Sequence, residues 1–138
     1  MKCSRREVCL RISALMASRG LAAESPFPSK VFRFEDLPVE HDDGNALRHI
    51  LEGKTHTGNR IEMHETDLAP GAMPHAAHHH AHEEIFLVRE GMLEVTIAGR
   101  ASRLGPGSVA YVASNDEHGI KNAGARHAQY FVIALGGE

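Results

Sequence analysis

The chain has 138 residues, 42% of them hydrophobic and 24% charged, with a formal net charge of −3. That length and mixture fit one soluble domain with an aliphatic core and are too small for two, and no run approaches the roughly 20 apolar residues that span a bilayer. The charge is uneven: residues 1–23 hold five basic side chains against Glu7, leaving an acidic body without the basic face that nucleic acid requires.

Residues 1–23 contain the pair Arg5-Arg6 after Ser4, an uncharged stretch from Ile12 to Ser18, and Leu21-Ala22-Ala23 before Glu24. The pattern resembles a twin-arginine export signal, although Arg11 and Arg19 interrupt the apolar region and Leu21 stands where a small residue is usual. It implies export to a bacterial periplasm and a mature chain beginning near Glu24; the plainer reading is an amphipathic N-terminal helix of a cytosolic protein. Both cysteines, Cys3 and Cys9, lie in this segment, so neither a disulfide framework nor a Cys-based zinc site is expected in the body.

Residues 24–57 read as an N-terminal arm, with the turn-forming cluster Asp42-Asp43-Gly44-Asn45 and short strands at Val31–Phe34 and Ala46–Leu51. From Gly58 the pattern is regular, and residues 58–138 are expected to form the barrel. Arg60–Leu68 reads as a strand, followed by Pro70-Gly71. Glu84–Val88 and Met92–Ile97 flank Arg89-Glu90-Gly91, which predicts a hairpin with Gly91 as its permissive residue. Gly105-Pro106-Gly107 is a turn before the strand Ser108–Ala113, and His127–Leu135 is a closing strand. Short strands at about ten-residue spacing, with no long helical period, predict an all-β sandwich or barrel. Several runs are apolar on both faces, as expected where one face lines the barrel and the other meets a second sheet or subunit.

Eleven residues are His, and five of them fall between His75 and His82. A metal site needs several lone-pair donors converging on one point. In an extended strand, residues i and i+2 share a face, which pairs His78 with His80 and directs His79 away. Glu84 opens the next strand and offers a carboxylate. His82 has the parity of His80 and competes with Glu84, a competition that alternation alone leaves open.

The segment from Gly71 through His78-x-His80-x-x-x-Glu84 to Gly91 resembles the first cupin motif, with the first Gly one residue early. Gly107 to Asn122 resembles the second: Gly107, His118 and Asn122 match, while Ala113 and Asn115 replace its Pro and second Gly. Asn is suited to such a turn because it accepts left-handed backbone. The resemblance covers roughly residues 58–136. It implies an all-β cupin double-stranded β-helix, a jelly-roll-like barrel preceded by the arm. It further implies metal ligation by His78, His80, Glu84 and His118. Three imidazoles and one carboxylate leave two open positions on an octahedral ion, which suits Mn, Fe, Ni or Co, with Zn and Cu also compatible.

His75, His79 and His82 read as solvated or supporting residues, and His41, His49, His56 and His127 as surface ones. His64, with Glu62, belongs either to the pocket or to the outer face. Asn122 is expected to support a strand end, and Tyr111 and Tyr130 to pack in the core. The resemblance implies a metal-dependent enzyme of dioxygenase, oxidase, isomerase or decarboxylase type on a small organic compound, with Glu62, His64 and His82 as candidate bases. The alternative is a non-catalytic, metal-dependent binding or storage protein; a transcription-factor sensor lacks any helix-turn-helix pattern. Cupins of this size commonly form homodimers through the sheet facing away from the metal.

Overall fold

The computed structural model describes residues 25–137, so the export-signal segment 1–23 lies outside the described residues. Within them a 3-10 turn, Phe34–Asp36, precedes nine strands: β1 Val39–Asp42, β2 Asn45–Lys54, β3 Arg60–Leu68, β4 Glu83–Glu90, β5 Leu93–Ile97, β6 Arg100–Leu104, β7 Val109–Val112, β8 His118–Asn122 and β9 Ala128–Leu135. They form two antiparallel sheets, β1-β2-β3-β9-β4-β7 and β6-β5-β8. The all-β barrel expected from strand spacing is the observed architecture.

Strand β9 shows why these residues build a barrel. Ala128, Tyr130, Val132 and Ala134 are buried, while the residues between them are half-buried. Cross-strand register then sets the inner rows: His64 opposes Val132, which opposes Phe86, and Glu62 opposes Ala134, which opposes Glu84. Opposed residues share a face, so His64 and Glu62 lie on the same inner surface as Glu84. Leu93, Val95 and Ile120 of the smaller sheet close the core against Leu68, Phe86, Val88 and Tyr130.

Two connections differ from expectation. Arg89-Glu90-Gly91 does not close a hairpin: β4 pairs with β7 and β9, and β5 with β6 and β8. The link is a corner that carries the chain from one sheet to the other. Gly91 has φ 78°, and a Cβ there would lie 2.6 Å from the His127 carbonyl oxygen. Glycine is therefore required both for the left-handed backbone and for the close approach. Val31–Phe34 is likewise not a strand. The Phe27 amide reaches the Lys54 carbonyl at 3.0 Å, and the Phe34 ring lies between the Arg48 and Arg89 guanidinium groups, 4.6 and 4.5 Å from its centroid. Side-chain stacking holds this part of the arm where a backbone ladder was expected. The Ala46–Leu51 strand is present within β2, joined to β1 by Asp43-Gly44 with φ 43° and 79°, the two positive angles a tight hairpin turn uses.

Beneath Phe34 lies a buried ion pair. Glu65 is 0% exposed and accepts from Arg48 at 2.9 Å, and its Oε1 has no hydrogen-bond partner.

Candidate metal centre

Glu84 comes from β4 in the larger sheet and His118 from the first position of β8 in the smaller one. His78 and His80 lie in the connection between β3 and β4, outside any strand. Alternation is therefore not what pairs them. His78 exchanges both backbone hydrogen bonds with His118, at 3.0 and 2.9 Å, and the His80 carbonyl accepts from the Asn115 amide at 2.8 Å. Asn115 sits at φ 65°, the left-handed conformation its residue type tolerates. Three backbone bonds thus fix the imidazoles where no ladder does. His79 is exposed, as expected.

The donor atoms converge. Those of His78, His80 and His118 lie within 4.8 Å of one another, as do those of His80, His82 and Glu84. Glu84 Oε2 is 3.0 Å from His118 Nε2, and Glu84 Oε1 is 3.3 Å from His80 Nε2. The Nδ1 atoms of His118 and His80 face the Asp116 and His82 carbonyls, each at 2.9 Å. A carbonyl only accepts, so each Nδ1 donates, and a neutral ring is left with a lone pair at Nε2. Lone pairs of two rings thus face carboxylate oxygens that also only accept. Such a knot needs positive charge within it, and a divalent ion or extra protons would supply it. Of these lone pairs, that of His80 Nε2 is buried near Glu84 without hydrogen-bond geometry, and one further buried atom, His78 Nδ1, has no hydrogen-bond partner. The donor set fits a metal ion.

Electrostatics agree with that chemistry. Burial, followed by the charges of His75 and His118 and then that of His80, holds His78 below the ordinary imidazole value of 6.5. A lowered value keeps the ring in the neutral form that ligates metals.

His82 stays close to the carboxylate: its Nε2 lies 3.2 Å from Glu84 Oε1, its ring stacks on His80 at 3.5 Å between centroids, and its donor atom converges with those of His80 and Glu84. His75 meets the His78 ring edge-on at 4.2 Å. Asn122 donates to the Leu68 and Arg126 carbonyls at 2.9 and 2.8 Å, bracing the end of β8. Tyr130 is buried in the core, and burial chiefly raises its phenol well above the ordinary value. Tyr111, by contrast, is 54% exposed on the outer face and donates to Glu83 at 2.7 Å.

Glu84 and His118 line a cavity of about 500 Å3, walled by Leu47, Leu68, Phe86 and Ile120, with His64 on its inner surface. His64 Nδ1 contacts Glu62 Oε1 at 2.7 Å; of the two, His64 lines this cavity, and the pocket alternative is the observed one for it. The rim holds Glu40, His41 and Asp42 of β1. His41 had read as a plain surface residue; the Asp-Gly pair that turns β1 onto β2 was the local signal that this segment folds back over the barrel mouth.

Two mixed-polarity sheets closed around a His/Glu cluster define a small single-domain barrel with a candidate metal centre. The cupin domain family, Cupin_2, matches residues 64–134, and the chain belongs to it. Solved structures share the fold at low identity. An RmlC-like cupin from Shewanella frigidimarina is 20% identical over 80% of this chain and 94% of that one, with a TM-score of 0.65. The polyketide cyclase RemF from Streptomyces resistomycificus is 18% identical over 78% and 80%, at 0.65. A predicted oxalate decarboxylase from Thermotoga maritima is 19% identical over 77% and 98%, at 0.63. No curated protein matches the chain.

Proposed function

We propose that this cupin binds one divalent transition metal through His78, His80, Glu84 and His118 and is a metal-dependent enzyme acting on a small organic compound. The observation that carries the reading is the set of imidazole lone pairs turned toward the Glu84 carboxylate at the wall of an apolar cavity. Three neutral imidazoles and a carboxylate suit Mn, Fe, Ni or Co, with Zn and Cu compatible. When bound, such an ion polarises a substrate oxygen as a Lewis acid. The chain's own residues do the rest. Leu47, Leu68, Phe86 and Ile120 exclude water from the bound compound. His64, with Nδ1 tied to Glu62, keeps Nε2 as the atom that accepts a proton. Dioxygenase, oxidase or isomerase chemistry fits this equipment, and the fold also serves a protein described as a cyclase and one predicted to be a decarboxylase.

The test is to strip the tag-free chain of metal, reload it with Mn, Fe, Co, Ni, Zn or Cu singly, and follow oxygen uptake and product formation over diols, phenols and keto acids. One metal is expected to restore turnover that the stripped chain lacks. Equal turnover by stripped and reloaded protein would contradict the proposal; stabilisation by a compound without product would favour binding or storage.

Two further proposals accompany it. The outer face of the larger sheet exposes Val109 at 56%, Tyr111 at 54% and Leu87 at 37%, with Leu87 opposing Val109 and Ile85 opposing Tyr111. This contiguous apolar area supports a homodimer through that face. The Arg5-Arg6 segment supports export to the periplasm; tracking the full chain and an Arg5→Lys, Arg6→Lys variant between cell fractions tests it. Among the described residues no helix is long and apolar enough to cross a membrane.

A further inference from the structure

His82 stands beside the four residues assigned to the metal without belonging to them. Its Nε2 lies 3.2 Å from Glu84 Oε1, and His80 Nε2 lies 3.3 Å from the same oxygen. The donor atoms of the three residues fall within 4.8 Å of one another. Bonds of about 2.1 Å to one octahedral ion put neighbouring donors about 3 Å apart. His82 is therefore spaced as a ligand is spaced, next to an oxygen and a ring of the existing set.

Its mounting differs from theirs. His80 and His118 each have Nδ1 tied to a carbonyl at 2.9 Å, the anchoring that fixes a resident imidazole ligand. Among the described residues no acceptor holds His82 Nδ1, and the side chain is 34% exposed. The His82 and His80 rings are stacked at 3.5 Å with 10° between their planes. Since both Nε2 atoms lie beside one oxygen, these parallel rings direct their lone pairs side by side. An ion aligned with His80 meets His82 off axis, so the His82 bond is the weaker one. The backbone, by contrast, is seated, because a Cβ at Gly137 would lie 2.8 Å from His82 Cβ. On its solvent side the ring borders a groove of about 250 Å3 shared with Glu52, Arg60 and Glu62, which gives it room to swing outward.

We propose that His82 is a fifth, exchangeable ligand: it holds one of the two positions that His78, His80, Glu84 and His118 leave open, and yields it to a compound that binds through two oxygens. The inference rests on the metal reading of this site and specifies how its substrate gains access. A two-oxygen compound displaces an internal ligand, whereas a compound with one donor atom takes the remaining position and leaves His82 in place. Only metal–ligand bonds form and break in the exchange, and the released ring turns into the groove.

The experiment loads the full chain and its His82→Gln variant with Co(II), whose visible absorption reports changes at the ion, and titrates each with tropolone and with azide. Tropolone offers two oxygens and azide one donor atom; Gln keeps a hydrogen-bond donor for Glu84 but no imidazole. Tropolone is expected to bind His82→Gln about tenfold more tightly than wild type, because no internal ligand competes, and azide to bind both within about twofold. Equal or weaker tropolone binding by the variant would overturn the inference and leave the four-ligand centre standing. A wild-type chain that takes up no Co(II) would sink both. If the variant loses Co(II), crystal structures of the loaded wild type decide: His82 Nε2 is expected on the ion without tropolone and turned into the groove with it. A ring unbonded in the structure without tropolone would overturn the inference.

Discussion

Glu84 and His118 belong to opposite sheets, and their side chains meet at 3.0 Å between Oε2 and Nε2. The contact joins the two halves of the barrel at the inner wall of its cavity. Since the His118 Nδ1 proton goes to the Asp116 carbonyl at 2.9 Å, the facing atoms are both acceptors in the neutral state. Facing acceptors of this kind suit a cation between them.

Acid should weaken the metal-free fold through His78. Burial first, then neighbouring rings, lower its value from 6.5. Between that lowered value and 6.5 the unfolded chain binds more protons than the native one. Stability from this group is complete above 6.5 and is lost as pH falls toward the native value. Urea denaturation of stripped protein at pH about 7.5 and about 5.5 is expected to show a loss at acid pH that is smaller in His78→Gln. An equal loss in both proteins would refute the assignment.

The ion pair beneath the arm makes a separate prediction. Arg48→Ala leaves the fully buried Glu65 carboxylate without its partner and is expected to cost about 3–5 kcal/mol, whereas the double change Arg48→Met, Glu65→Leu should cost far less. Denaturant midpoints of the three proteins decide it. Similar losses in the single and double variants would mean that the pair itself, and not the orphaned charge, sets the cost.

Gly91 and Gly71 share φ 78°, but only Gly91 has backbone where a side chain would go, with the His127 oxygen at 2.6 Å. Gly71→Ala should cost about 1–2 kcal/mol from its left-handed backbone, and Gly91→Ala clearly more. Thermal unfolding in parallel is the check, and equal shifts would count against the corner.

The proposed dimer face can be broken by charge. Sedimentation of the wild type is expected to give a dimer, and Val109→Asp with Tyr111→Glu a monomer of unchanged strand content, since both residues are more than half exposed in one chain. A wild-type monomer, or an unaltered dimer in the variant, would exclude this face.

Much of the barrel is visible in residue pattern. The strands at β3, β4, β5, β7 and β9 follow from runs such as His127–Leu135, where β-branched and aromatic residues mark both a buried and a half-buried face. Strands β1, β6 and β8 are not visible, for physical reasons. Arg100–Leu104 is a mostly exposed edge strand with two Arg and a Ser, so no apolar period betrays it. His118–Asn122 is short, with its buried positions filled by His, Gly and Asn as well as Ile. The corner at Gly91 reads as a hairpin because a permissive glycine between two strands is common to both; only pairing across the whole chain separates them. At the site, the spacing of His78, His80, Glu84 and His118 marks the right neighbourhood, but for His78 and His80 the alternation argument fails. Their positions depend on hydrogen bonds to His118 and Asn115, more than thirty residues away, and no local rule contains those.

The most direct test of the account is the metal content of tag-free protein, measured by elemental analysis for wild type, His118→Ala and His79→Ala after identical preparation. The account predicts close to one divalent ion per chain in wild type and in His79→Ala, whose ring is exposed and points away, and a loss of about tenfold or more in His118→Ala. Equal and negligible metal in all three, or undiminished metal in His118→Ala, would contradict it.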